Sequence, residues 1–141
     1  TFAYPEGIYN RGAEKIGRDC GYQAARAAGG VSPTGRITAE TLPPRDPFAI
    51  RTIRGPDSPI LLSNLERAVR AAASHGGGLV TFIFYRVCSK VYAPTTFRSC
   101  MSSYRPVLLS TLNSLLTWLH RAAPPRTSVA TIRQAVSSAS L

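Results

Sequence analysis

Apolar and polar positions along this chain switch between a period of two and a period near 3.6, the signature of strands alternating with helices in an α/β fold. Thr1 to Tyr4 reads as the end of a strand, stopped by Pro5 and Gly7. Asn10 can cap a helix reaching about Cys20, with Ala13, Ile16 and Gly17 inward and Gly21 closing it. Tyr22 to Ala27 reads as a short strand before Gly29-Gly30. Ser32 to Pro47 carries four prolines and several polar residues, the composition of a long loop. Phe48 to Ile53 alternates as a strand. Ser58-Pro59 then leads into a helix from about Leu62 to His75, with Leu62, Leu65, Val69 and Ala73 along its inner stripe. Gly76-Gly77-Gly78 breaks that helix and feeds Leu79 to Val87, the strongest strand signal, whose near-continuous apolar run suits a parallel strand covered on both faces. Residues 88–104 read as an irregular loop. Pro106 to Arg121 is the longest expected helix, with Leu109, Leu112, Leu115, Leu116, Trp118 and Leu119 inward and Pro124-Pro125 beyond it. Ser128 to Ile132 reads as a short strand, and a weak helix finishes the chain.

Size and composition fit one domain over residues 1–141. The chain is 44% hydrophobic, enough to bury a core and too much for a disordered tail. No run of eighteen apolar residues occurs, so no spanning helix is expected. The opening Thr-Phe-Ala-Tyr-Pro has neither the basic nor the apolar region of a leader. Either a leader has been removed or this is the later part of a longer chain.

Seventeen basic residues against seven acidic ones give a net charge of +10, and fifteen of the seventeen are Arg. Such a balance can serve nucleic acid, acidic lipid or an anionic polysaccharide. The basic residues are scattered, with no two adjacent, whereas a nucleic-acid groove clusters them and interleaves aromatics. GC-rich coding produces the same Arg bias, so nucleic acid is not the expected partner.

Local motifs for catalysis are sparse. His75 and His120 each sit near an expected helix end, in no His-x-x-x-His or His-Glu-x-x-His arrangement. Seven carboxylates form no evident acid–base pair; Glu40 lies in the long loop and Asp46 suits a turn. There is no Gly-x-Ser-x-Gly elbow, and Gly76-Gly77-Gly78 lacks the Lys-Ser/Thr of a phosphate loop. Cys20, Cys88 and Cys100 are too few for a zinc ribbon. Cys88 and Cys100 flank an eleven-residue segment; a bridge there would contribute about 3 kcal/mol, and two unpaired thiols are the alternative. Cys20 is left over, buried at a helix end or paired outside the chain. Groups after strand ends remain: Tyr4-Pro5, Arg26 and Tyr85-Arg86, an aromatic and arginine-rich set that suits sugar stacking if the ends share one mouth, and simple packing if they do not.

Three early stretches carry a resemblance: Phe2-Ala3-Tyr4-Pro5-Glu6-Gly7-x-Tyr9-Asn10, Cys20-Gly21-Tyr22-x-x-Ala25-Arg26, and Ala39-Glu40-Thr41-Leu42-Pro43-Pro44-x-Asp46-Pro47. It continues through His75-Gly76-Gly77-Gly78, Phe84-Tyr85-Arg86-Val87-Cys88 and Leu115-Leu116-x-Trp118-Leu119. In this order they resemble the polysaccharide deacetylases of the NodB-homology type (carbohydrate esterase family 4), over nearly the whole chain but corresponding to the C-terminal part of that domain. The resemblance implies a partial distorted (β/α) barrel and an extracellular or cell-wall setting, with which a Cys88–Cys100 disulfide would agree. It also implies a C–N hydrolase that uses zinc or cobalt to deacetylate N-acetylglucosamine polymers such as chitin or peptidoglycan.

The departures shape the expectation. The family's Thr-Phe-Asp-Asp and His-x-x-x-His metal motifs would lie upstream of Thr1, in a missing N-terminal half or a second chain. Tyr85 stands where the family has a late-strand His, and a phenol titrating near 10 cannot replace an imidazole near neutral pH. Ala3 and Glu6 depart from the family's groove segment. A full barrel takes about 200 to 250 residues, so 141 would leave open edges. The expectation is a deacetylase-like fragment, inactive alone and binding no metal itself, with Tyr4, Pro5, Tyr85 and Arg86 in a sugar groove. The alternative is a non-catalytic module that binds a polysaccharide or other anionic polymer.

Overall fold

A computed structural model describes residues 1–53 and 60–137; the expected Ser58-Pro59 lead-in falls outside them. The fold is mixed α/β, with two small parallel sheets. The first has the order β1 (Phe2–Ala3), β2 (Ala25–Val31), β3 (Ile50–Ile53). The second pairs β4 (Arg86–Cys88) with β5 (Pro106–Leu108). No barrel closes among the described strands.

Helix α1 (Arg11–Asp19) makes the crossover from β1 to β2. It starts where Asn10 accepts the Ala13 amide at 2.9 Å, and Gly21, at φ +78°, lets the chain turn back. Gly17 and Ala13 face the sheet as expected, but Ile16 is 65% exposed. The first sheet's inner cluster is Tyr4, Ala25 and Phe48 with Phe2 and Ala13. Asp46 shapes the turn before β3, taking the Phe48 amide on Oδ1 at 2.8 Å.

β2 runs through Gly29-Gly30, past the expected end at Ala27. Arg26 pairs with Ile50 and Gly30 with Thr52, so β2 bulges between those pairs. Gly29 and Gly30, at φ +84° and +92°, permit the bulge, and Thr52 Oγ1 accepts the Gly29 amide.

The expected long strand Leu79–Val87 breaks into three parts. Leu79 makes an antiparallel bridge to Glu40, Thr81 accepts the Ile53 amide at 3.0 Å, and regular pairing resumes only at Arg86. Its apolar side chains are used for packing instead of a ladder. Val80 and Phe82 cover Val31, Ile53 and Ala68, while Phe82 and Phe84 cover Ile60, Leu65, Val107 and Leu115. Phe82 therefore belongs to both clusters. This connector joins the two sheets.

Helix α2 (Leu62–Ser74) buries Leu65, Ala68, Val69 and Ala72; the expected Ala73 faces solvent. Pro106 does not open the last long helix. Val107 is fully buried, β5 pairs with β4, and the Pro106 carbonyl accepts the Ile60 amide, so α4 (Leu109–Arg121) begins three residues later. Leu115 is its buried position, Leu119 and Trp118 are half-buried, and Leu116 is exposed. Arg70 of α2 lies over the Trp118 ring at 5.0 Å. The expected strand Ser128–Ile132 is absent. Thr131 and Gln134 form a capping box, each side chain accepting the other's amide, and start α5 (Ile132–Ser137).

Cys88 and Cys100 are disulfide-bonded, with Cα atoms 5.8 Å apart, around the short helix α3 (Phe97–Met101). Cys20 is a free, exposed thiol rather than a buried one.

The long loop is held by one carboxylate. Glu40 is 2% exposed and takes bonds from Arg51 Nε at 2.9 Å, Arg51 Nη2 at 2.6 Å, the Arg51 amide at 3.0 Å and the Thr41 amide at 2.9 Å. Its own backbone exchanges two bonds with Leu79. Burial alone would push the Glu40 carboxyl up, but the Arg51 side chain and the Arg51 and Thr41 amides outweigh it and hold it at about 2. Stability from this site is fully present above the ordinary Glu value of about 4.3 and is lost as pH falls toward 2.

Two outcomes follow for this clamp. Glu40→Gln strands the Arg51 charge and is expected to lower the unfolding free energy by about 3 kcal/mol in urea titrations at pH 7. The wild-type advantage shrinks as pH falls from 4 to 2; a difference that stays constant with pH contradicts the assignment. Gly78→Ala puts a Cβ into the Glu40 carbonyl at φ +128° and is expected to cost about 1–3 kcal/mol by the same measurement.

Candidate functional site

The residues expected to form one sugar-binding mouth are distributed over both sheets. Tyr4 and Pro5 follow the C-terminal end of β1, as expected. Arg26 lies inside β2, paired with Ala3 and Ile50, not after its end. Tyr85 and Arg86 stand at the beginning of β4, because regular pairing starts there rather than at Leu79.

Tyr4 is an interior residue. It is 4% exposed, edge-on to Phe2 at 4.9 Å and stacked on Tyr9 at 4.9 Å. Its buried hydroxyl has no hydrogen-bond partner among the described residues. Burial, and then the charges of Glu14 and Asp46, push the phenol above its ordinary value. Tyr4 supports the β1 turn and presents no polar face to a ligand. Pro5 is exposed and opens a single 3-10 turn that ends at Gly7.

Tyr85 presents the opposite case. It is 49% exposed and meets Tyr104, 54% exposed, in a T-shaped pair with centroids 5.0 Å apart. The Arg105 guanidinium lies 4.8 Å from the Tyr104 ring centre, and Arg86 is exposed next to Tyr85. Arg105 itself is buried, 9% exposed, and supports the Tyr104 ring rather than facing solvent. The two exposed rings beside the exposed Arg86, on a disulfide-braced sheet, form a rigid, partly apolar surface with a cationic edge. Tyr104 and Arg105 were not expected as site residues. They occupy the loop before β5, and only the β4–β5 pairing brings them to Tyr85.

A metal centre is not built from the described residues. No three His, Cys, Asp or Glu side chains converge among them. His75 ends α2 with Nδ1 2.8 Å from the Ala71 carbonyl, and His120 lies in the last turn of α4. Among the described residues, no helix is long and apolar enough to cross a membrane.

A cavity of about 200 Å³ lies where β2 and β3 end and α2 begins. Ile53, Ile60, Leu65, Phe82 and Phe84 line its body, with Asn64 and Arg67 among its polar lining residues. In open α/β sheets the carboxyl ends of parallel strands are where ligands bind.

No family model, curated protein or solved structure matches this chain.

Tyr4→Phe removes a desolvated hydroxyl and keeps the ring, so thermal unfolding should show stability unchanged or raised by about 1 kcal/mol. Tyr4→Ala should cost about 3–5 kcal/mol. A Tyr4→Phe variant destabilised as much as Tyr4→Ala would show that the hydroxyl is bonded.

Proposed function

We propose that this chain is the carbohydrate-facing part of a polysaccharide-deacetylase-like protein, the C-terminal portion of its distorted (β/α) barrel. By itself it holds an amino-sugar polymer of the chitin or peptidoglycan type without hydrolysing it, in an extracellular or cell-wall setting. The exposed Tyr85–Tyr104 pair, beside the exposed Arg86 and backed by the buried Arg105, carries the reading. Sugar rings present C–H faces that pack on the negative face of an aromatic ring, and a guanidinium donates hydrogen bonds to hydroxyl, amide and carboxylate oxygens. The ordered motifs from Phe2 to Leu119 support the family assignment. The phenol at position 85 and the separated histidines support binding rather than proton transfer.

Tyr4 and Pro5 have no direct part in this reading: Tyr4 is interior, and Pro5 lies in the turn after β1, beside a different sheet from that of Tyr85. The contact surface is instead Tyr85, Arg86 and Tyr104, with the buried Arg105 packed on the Tyr104 ring.

Retention on insoluble chitin and on peptidoglycan tests it. The wild-type chain is expected to be retained without acetate release, and Tyr85→Ala to weaken retention about threefold to tenfold, the range for an exposed aromatic contact. Because stacking carries the contact, retention should change little between 50 and 200 mM salt, whereas binding by charge alone would collapse. Undiminished retention by Tyr85→Ala, or acetate release by the isolated chain, would overturn the proposal.

A further inference from the structure

We infer that the cavity at the start of α2 is a second ligand site, for a small aromatic carboxylate. It is independent of the Tyr85–Tyr104 surface. Its body is apolar, formed by Ile53 from β3, Ile60 and Leu65 from the α2 side, and Phe82 and Phe84 from the connector. An apolar cavity of about 150 Å³ holds a benzene ring, so about 200 Å³ admits a ring with one short substituent.

The polar lining sets the charge of that substituent. Arg67 lines the cavity, and its Nη2 donates to Asn64 Oδ1 at 2.7 Å. A neutral amide, Asn64, orients the guanidinium, and among the described residues no carboxylate pairs with Arg67 to offset its charge. No side-chain cap closes the N-terminus of α2, whose dipole is positive at this end. An apolar ring-sized body beside an amide-held guanidinium and the positive end of a helix is complementary to an aromatic monoanion. The same geometry disfavours an aromatic amine, whose ammonium would face Arg67.

Binding of 3-phenylpropionate to the whole chain, followed by ¹H–¹⁵N chemical shifts, tests the inference, with 3-phenylpropanamide as the neutral comparison. Saturable shifts at Leu65, Phe82 and Phe84 are expected, with the acid binding at least tenfold more tightly than the amide. Arg67→Gln, a change at an exposed position, should remove that preference while leaving amide binding and thermal stability unchanged. Shifts absent at 10 mM ligand, or an acid preference that survives Arg67→Gln, would overturn the inference. Neither result depends on chitin retention, so this site and the sugar surface succeed or fail separately.

Discussion

The arrangement turns on one buried ion pair. Glu40 sits in the middle of a loop that connects two parallel strands without a helix, a connection with little intrinsic order. Its carboxylate takes the Arg51 side chain, the Arg51 amide and the Thr41 amide, while its backbone pairs with Leu79. Loop, β3 and connector meet at this single residue. Burying a carboxylate is costly unless every lone pair is matched, and here side-chain and backbone donors from two segments match it. Gly78 makes room, since its bare Cα lets the Glu40 carbonyl approach.

From that clamp the connector passes its side chains to both cores. Held at Leu79 and Thr81, it places Val80 and Phe82 over Val31, Ile53 and Ala68, and then Phe82 and Phe84 over Val107 and Leu115. The same path shapes the cavity at the start of α2 and delivers Tyr85 to β4, beside Tyr104. Both proposed ligand surfaces thus depend on where residues 79–85 run. The disulfide holds the far side, tying β4 to α3.

The helices α1 and α2 were legible because their signals are local, whereas the short α3 falls inside the segment 88–104 expected to be an irregular loop. Asn10 with Gly21 bounds α1, and the Leu65–Val69 stripe with the triple glycine bounds α2. Thr131-x-x-Gln134 is equally local, a capping box that outweighs the β-branched residues around it. The strands were less legible, because an apolar run specifies burial and not pairing. Leu79–Phe84 is half-buried against the two cores and Tyr85–Val87 is exposed, and the segment lacks a neighbouring strand along most of its length. Pro106-Val107-Leu108 looks like a helix start until its partner Arg86-Val87-Cys88 is known. The site followed the same logic: Tyr85 and Arg86 stood out by type, but Tyr104, Arg105, Asn64 and Arg67 acquire meaning only through long-range contacts. Glu40 was visible as a loop carboxylate, and nothing local tied it to Arg51 eleven residues later.

The most direct test of the account is the titration of the Glu40 side-chain carboxyl carbon by NMR in the intact chain. The clamp predicts a midpoint near 2, well below the ordinary glutamate value of about 4.3. A midpoint in the ordinary range near 4.3 would mean that Glu40 is not held by Arg51. The long loop, the connector and both surfaces they position would then need another explanation.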